Sequence, residues 1–287
     1  MGSEIEGVLV IGATGNVGRH VVEQLVARGV RVRALTRNPK LANLPPEVDL
    51  ARGDLAAPEL DESVLKDISA AFLVWALPAT NSFPYVLDLL AKHARRIVFL
   101  SSSAIRDDLA EQPNLIARAH AEIEGGIASA ASEWTFLRPD GFASNAINWW
   151  GAQIRRGDVV RWPYGNAAMA PIHEKDMAAV AVHALLENGH HGRKYVLTGP
   201  ESLTFAQQVQ IIADVIGRRL QFEELSREAA RQQFPGSPPP AFVEVLLDVF
   251  SSLTEKSAEV SPTVAEVTGA PAHSFREWVA DHVADFR

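Results

Sequence analysis

The stretch Val8-Leu9-Val10-Ile11-Gly12-Ala13-Thr14-Gly15-Asn16-Val17-Gly18 decides the fold. Four consecutive apolar residues read as a short strand buried on both faces, because a strand with one wet face alternates apolar and polar side chains. After the glycines, Val17, Val21, Val22, Leu25 and Val26 recur at helical spacing until Gly29 stops the run. Strand, glycine turn and helix in this order make an anion cradle. Small residues let the backbone approach a pyrophosphate, and the first helical turn offers unpaired N–H groups at the positive end of its dipole. Gly12, Ala13, Thr14, Gly15, Asn16, Val17 and Gly18 are therefore the first candidate cofactor residues, the alternative being a tight turn without ligand.

Outward from this unit, Val30, Val32 and Ala34 alternate with Arg31 and Arg33. Residues 70–77, 96–100 and 134–137 are further apolar runs separated by helix-like stretches. The alternation predicts an α/β protein with a Rossmann-like, doubly wound parallel sheet. After Arg138-Pro139 the texture changes: Trp149, Trp150, Trp162 and Tyr164 gather among Gly151, Gly157, Pro163 and Gly165, and the chain leaves the sheet. An amphipathic helix over 176–186 and a strand over 195–197 bring it back. A helix over 205–216, a break at Ser237-Pro238-Pro239-Pro240 and helical segments to the end follow, the last with Phe275, Trp278, Val279 and Val283 on one face. The predicted organisation is two interleaved lobes. Residues 1–140 plus about 170–198 bind the dinucleotide; about 141–169 plus 199–287 form a smaller, mostly helical substrate lobe.

Among 287 residues, 27 Lys and Arg stand against 35 Asp and Glu, a net charge of −8, so no excess of cations exists to neutralise a nucleic-acid backbone. No apolar run reaches bilayer length. The lack of cysteine removes disulfides, thiolate nucleophiles and Cys-ligated metals. Met1-Gly2-Ser3-Glu4 has acids rather than cations ahead of the first apolar run, unlike a signal peptide, and a cytoplasmic location is expected. The pair His190-His191 lacks other candidate ligands nearby and reads as a solvated loop; no metal site is predicted.

At the end of the second strand stand Leu35-Thr36-Arg37-Asn38-Pro39. A free ribose 2′-OH is met there by Asp or Glu, a 2′-phosphate by a cation. With no carboxylate at this tip, Arg37 is placed to pair with a phosphate and Thr36 to hydrogen-bond it. NADP(H) is predicted over NAD(H), unless Arg37 is merely a solvated cation.

The spacing Gly-x-x-Gly-x-x-Gly resembles that of the atypical and extended short-chain dehydrogenase/reductase superfamily, and Gly12 to Gly18 is similar to its NmrA-like branch. His120-Ala121-Glu122-Ile123-Glu124, Trp134-Thr135-Phe136-Leu137-Arg138-Pro139, the segment 170–178 and Thr198-Gly199-Pro200-Glu201 resemble NmrA-like quinone oxidoreductases and triphenylmethane reductases. The resemblance implies that Asp54 and Leu55 border the adenine, although Asp is also a common helix cap. It places Trp75-Ala76-Leu77-Pro78 beside the nicotinamide ribose. Ser101, Ser102 or Ser103 matches the serine that the main superfamily places after the fifth strand. Its Tyr-x-x-x-Lys pair is missing: no Tyr or Lys lies between these serines and Trp134, and aligning on the helix over 114–124 puts Ile116 and His120 at the two positions. Pro139 and Phe142 complete the candidate cofactor set.

The expected activity is hydride transfer from NADPH to a conjugated acceptor (a quinone, a dye or a related carbonyl). Orientation in a dry site does most of the work there, and no strong acid is obligatory. His120 is the candidate catalytic residue, as cofactor contact or proton donor, against the alternative of a structural pair with Glu124 one helical turn away. Phe142, Trp149, Trp150, Trp162 and Tyr164 are the candidate aromatic walls of a substrate pocket, or packing between lobes. Asp176, near His173, steadies a loop. Two other readings share the cofactor: a redox sensor that binds NADP without turnover and signals to a protein partner, and a keto or enoyl reductase that needs another acid.

Overall fold

The computed structural model describes residues 5–56, 60–76, 80–234 and 239–287. In chain order the elements are β1 (Val8–Ile11), α1 (Asn16–Ala27), β2 (Val32–Thr36), β3 (Asp49–Arg52), β4 (Ala70–Val74), α2 (Phe83–His93), β5 (Arg96–Leu100), α3 (Leu115–Ala130), β6 (Glu133–Pro139), α4 (Ala152–Arg156), β7 (Val159–Pro163), β8 (Ala168–Met169), α5 (Glu174–Leu186), β9 (Arg193–Leu197), β10 (Leu203–Thr204), α6 (Phe205–Ile216), β11 (Gln221–Leu225), α7 (Arg227–Gln233), α8 (Pro240–Ser252), α9 (Thr263–Thr268) and α10 (Phe275–Asp281).

The chain divides into two compact units. The first comprises 1–139, 174–197 and 266–269, beside the expected 1–140 plus about 170–198. Its sheet runs β3-β2-β1-β4-β5-β6-β9 with every neighbouring pair parallel. Strand order reverses between β1 and β4, and the crevice outside the carboxyl ends of the strands at such a switch point is where ligands bind in this architecture. All four residues of β1 are buried, as a strand covered on both faces requires. The stripe Val17, Val21, Val22 and Leu25 of α1 is buried, and α1 packs on α5. On the other face, Leu9, Ile11, Leu73, Phe99 and Phe136 from the strands meet Val86, Leu90, Ile123 and Ile127 from α2 and α3. Arg96, 5% exposed at the start of β5, caps the carboxyl end of α5 by donating to the carbonyls of Leu185 (2.9 Å) and Glu187 (2.7 Å), with Glu133 neutralising it at 2.8 Å.

The second unit comprises 140–173, 198–265 and 270–287. Two small sheets, β10-β8 and β11-β7, sit with its helices around a core of Trp150, Trp162, Phe205, Ile212, Phe250, Phe275, Trp278 and Phe286. Capping boxes at Thr204–Gln207 and Ser274–Glu277 start α6 and α10. A π-helical turn over Ile147–Gly151 carries Trp149 and Trp150. The predicted last helix is divided, α10 ending at Asp281 before a 3₁₀ turn over Val283–Phe286. Ser237 and Pro238 of the predicted break lie outside the described residues; Pro239 and Pro240 open α8.

Candidate dinucleotide site

Beyond β1 the backbone turns through Gly12 at φ +85°, a conformation that favours glycine. A Cβ on Gly12 would also stand 2.9 Å from that of Val74 on β4. One turn into α1, a Cβ on Gly18 would stand 2.1 Å from the Gly12 carbonyl oxygen, so the helix sits close against the turn only because that position lacks a side chain. The Gly15 amide donates to the Gly12 carbonyl (3.0 Å), and the Arg19 guanidinium holds the Thr14 carbonyl at 3.2 Å. No side chain caps α1 and no acid occupies its first turn, leaving its amino end to a ligand anion. Ala13 and Val17 are buried, while Thr14, Gly15 and Asn16 are exposed.

This turn is one wall of a groove of about 510 Å³. Gly12, Thr14 and Gly15 line it from the turn, Thr36, Arg37 and Asn38 from the end of β2, Leu41 and Ala42 from the segment that follows, Gly53, Asp54 and Leu55 from beyond β3, Val74 from the end of β4 and Ala76 from just beyond it. The Thr36 hydroxyl accepts from the Asn38 amide (3.2 Å) and so shapes the tip. Arg37 is exposed and makes no hydrogen bond or ion pair among the described residues, so its full charge is offered to the groove. Asp54 accepts from the Ala56 amide two residues on (3.0 Å), bracing a turn while still lining the groove. Trp75 is the outlier: its ring packs edge-on against Phe83 (centroids 5.3 Å apart) in the core, and its neighbours Val74 and Ala76 line the groove instead. Leu77 lies outside the described residues.

Past β5 the three serines diverge. The Ser101 amide donates to the Leu137 carbonyl (2.7 Å), and its hydroxyl, 4% exposed as a residue, donates to Oε1 of Glu124 (2.6 Å). Glu124 in turn takes a two-pronged bond from Arg138, from Nε at 2.9 Å and Nη2 at 2.6 Å. The Ser103 amide donates to the Pro139 carbonyl (3.1 Å), which fixes buried Pro139 as part of the strand frame. Between them, the Ser102 hydroxyl accepts from the Ala104 amide (3.2 Å), and its own proton has no acceptor among the described residues.

His120 is half-buried on α3 and lies over Phe99 at 6.0 Å. Its Nδ1 faces the Ile116 carbonyl at 2.8 Å; a carbonyl only accepts, so Nδ1 carries a proton and donates it there, which leaves Nε2 as the nitrogen turned to other partners. The alternative pairing of His120 with Glu124 does not form, since Glu124 is taken by Ser101 and Arg138.

Of the aromatic set, Trp150 and Trp162 are 0% and 2% exposed and belong to the core of the second unit, which is the packing role. Trp149 stacks on Trp162 at 5.4 Å and is half-buried. Phe142 bridges to Ile172, and Tyr164, at φ +54°, accepts from Arg227 (3.4 Å). His190 and His191 are more than a solvated pair: Nδ1 of His190 bonds the Tyr195 hydroxyl (2.8 Å) and Nδ1 of His191 accepts from the Trp134 amide (3.2 Å).

The network around Arg138 has no counterpart in the sequence reading. The Arg138 guanidinium also donates to Asp107 from Nη1 (2.7 Å) and Nη2 (3.0 Å), and Lys194 reaches the same carboxylate at 2.8 Å. These hydrogen bonds hold the Asp107 carboxyl far below the usual range; for Arg138, burial works against the charge, but the bonds from Glu124 and Asp107 outweigh it and raise its pKa. One signal is present in the sequence: Arg138 directly follows the apolar run 134–137 of β6, and a charge carried into a buried strand demands a partner.

The parallel sheet, its switch point and the glycine cradle together define a Rossmann-type dinucleotide-binding protein. The family model described as NAD(P)H-binding matches residues 12–188. Over 285 residues the chain is 39% identical to the (4-alkanoyl-5-oxo-2,5-dihydrofuran-3-yl)methyl phosphate reductase of Streptomyces griseus, covering 97% of this chain and 99% of that one. It is 31% identical to the NAD(P)H azoreductase of Xenophilus azovorans, with 97% and 99% covered. The triphenylmethane reductase of Citrobacter sp. shares the fold, with a TM-score of 0.81 over 97% of this chain and 99% of that one at 19% identity. The chain belongs to the NAD(P)H-binding family, consistent with the NmrA-like resemblance, and is an NAD(P)H-dependent oxidoreductase. Among the described residues no helix is long and apolar enough to cross a membrane.

Proposed function

We propose that the protein uses NADPH to reduce a carbon–carbon double bond or quinone ring conjugated to carbonyl groups. The observation that carries this reading is the commitment of the groups at the end of β5: the Ser101 hydroxyl is held by Glu124 and the Nδ1 proton of His120 by the Ile116 carbonyl, and neither stands where the missing Tyr-Lys pair would supply an acid. A reductase of simple ketones must protonate an alkoxide as it forms, whereas hydride addition to an alkene flanked by two carbonyls leaves a delocalised enolate that needs little help. The acceptor in the name of the Streptomyces griseus relative, a 4-alkanoyl-5-oxo-2,5-dihydrofuran, is such an alkene, activated by both a ketone and a lactone carbonyl.

The glycine cradle, closed to any Cβ at Gly12 and Gly18, fits the pyrophosphate, which meets the exposed turn Thr14–Asn16 and the amino end of α1. Arg37 and Thr36 take the 2′-phosphate, and Asp54, Leu55 and Ala76 border the rest of the groove. When bound, the cofactor supplies a hydride. Ser102 offers its hydroxyl as a hydrogen-bond donor to a carbonyl oxygen of cofactor or acceptor without giving up the proton, and His120 turns Nε2 to the cofactor's polar groups. Of the aromatic set, Phe142, Trp149 and Tyr164 retain exposure and are assigned to the acceptor.

The test follows NADPH absorbance while purified protein meets an acyl butenolide, 1,4-naphthoquinone, an azo dye and an unconjugated ketone, with NADH alongside. Oxidation by the first two and silence with the ketone is the expected pattern. Reduction of the ketone at a comparable rate, or binding of NADPH without oxidation by any acceptor, would refute it, the latter pointing to a redox sensor.

A further inference from the structure

We infer that Arg138 is a positioning residue, which through Glu124 and Asp107 clamps both ends of the segment 101–107 and the middle of α3, and thereby sets where Ser102 and His120 stand. The inference rests on the assignment of those two residues to the cofactor or acceptor. One guanidinium serves both anchor points. Toward Glu124 it makes the two-pronged bond, and that carboxylate holds the Ser101 hydroxyl at 2.6 Å, immediately before Ser102. Toward Asp107, at the far end of the same segment, it makes a second pair of bonds at 2.7 and 3.0 Å. Glu124 lies one helical turn beyond His120, so the bond that fixes the segment also fixes the height of α3 against β5 and β6.

The charges support a geometric role. Glu124 and Asp107 contribute two negative charges, Arg138 and Lys194 two positive ones, so the cluster is balanced and sends little net field toward the cofactor. What it supplies is rigidity. Glu124 and Arg138 are each 5% exposed, and a planar fork bonded along both edges leaves neither carboxylate free to rotate. β5 pairs with β4 in register Leu100 to Val74, so the clamped segment starts beside the strand whose end lines the groove.

Removing Arg138 would strand a buried carboxylate and put folding at risk, so the test uses Asp107→Ala, whose side chain is 55% exposed, beside the conservative Arg138→Lys. Two readouts are taken on the full-length protein. In hydrogen exchange without cofactor, amides of 102–106 and the first turns of α3 should exchange at least about tenfold faster in Asp107→Ala, with the turn over 12–18 unchanged. With NADPH and 1,4-naphthoquinone, kcat should fall roughly tenfold, the deuterium isotope effect from NADPH labelled at the nicotinamide C4 should rise, and the NADPH dissociation constant should stay within about twofold. Asp107→Asn, which keeps an acceptor for the guanidinium, should recover part of the loss. Unchanged exchange, an unchanged kcat, or a parallel loss of NADPH affinity would overturn the inference. Ser102→Ala and His120→Ala, run beside them, separate the two claims. If neither lowers kcat, the assignment of these residues fails and the inference with it. If both lower kcat while Asp107→Ala does not, the inference alone fails.

Discussion

A Cβ on Gly18 would stand 2.1 Å from the carbonyl oxygen of Gly12, and the obstructing atom is backbone. No rotamer change relieves such a contact, so α1 would have to lift away from the turn. Gly18→Ala should therefore destabilise the fold by about 3 kcal/mol, in the manner of an overpacked core, and weaken NADPH binding at least tenfold. Chemical denaturation with a fluorescence titration of the cofactor checks both.

Arg37 offers its full charge to the groove from the end of β2. Two charge-assisted bonds to a 2′-phosphate are together worth about 2 to 3 kcal/mol, a factor of roughly 30 to 150 in affinity. Arg37→Ala should weaken NADPH by that factor and leave NADH within about twofold. An unchanged ratio between the two cofactors would remove Arg37 from the site.

The serines should separate cleanly. Ser101→Ala strips one donor from buried Glu124 and should cost about 1 to 2 kcal/mol of stability with little direct effect on cofactor affinity. Ser102→Ala touches only a local turn, so its stability should stay within about 0.5 kcal/mol of the parent while kcat falls. Thermal unfolding and steady-state kinetics on the two variants decide it.

Glu244 carries a pH signature in the second unit. The hydrogen bonds from Arg231 and Arg227 push its carboxyl down to about 2 from the ordinary 4.5. A folded-state pKa below the unfolded one stabilises the fold above the unfolded value, and this contribution is lost as pH falls from about 4.5 through about 2. Glu244→Gln should flatten the dependence of unfolding temperature on pH across that window while matching the trend of the parent above pH 6.

Arg96→Met tests the cap on α5. The carbonyls of Leu185 and Glu187 lose their charged donor and Glu133 keeps only Arg95 at 3.4 Å, at a cost of about 3 kcal/mol with cofactor affinity unchanged. Equilibrium unfolding gives the first number and NADPH titration the second.

The cradle was legible in the sequence because everything it needs is contiguous: an apolar strand, glycines at 12, 15 and 18, and a helical stripe, each reporting its own backbone conformation and buried face. Thr36 and Arg37 could be placed for the same reason, one strand further on. Dinucleotide binding followed from these local patterns, whereas the oxidoreductase class followed only from the resemblance of the motifs to a known family. Tertiary structure decided what periodicity leaves open, namely which group meets which across the fold. An apolar pattern marks Trp75, Trp150 and Trp162 as half or fully buried without saying whether they face a ligand or the core, and all three face the core. Likewise the three serines are equivalent as letters; only the packing of β6 and α3 against β5 ties Ser101 to Glu124 and leaves Ser102 its proton. Arg138, a charge at the end of the apolar run of β6, announces that it needs partners, but Glu124 and Asp107 come from separate elements, and only chain closure over those distances brings the three together.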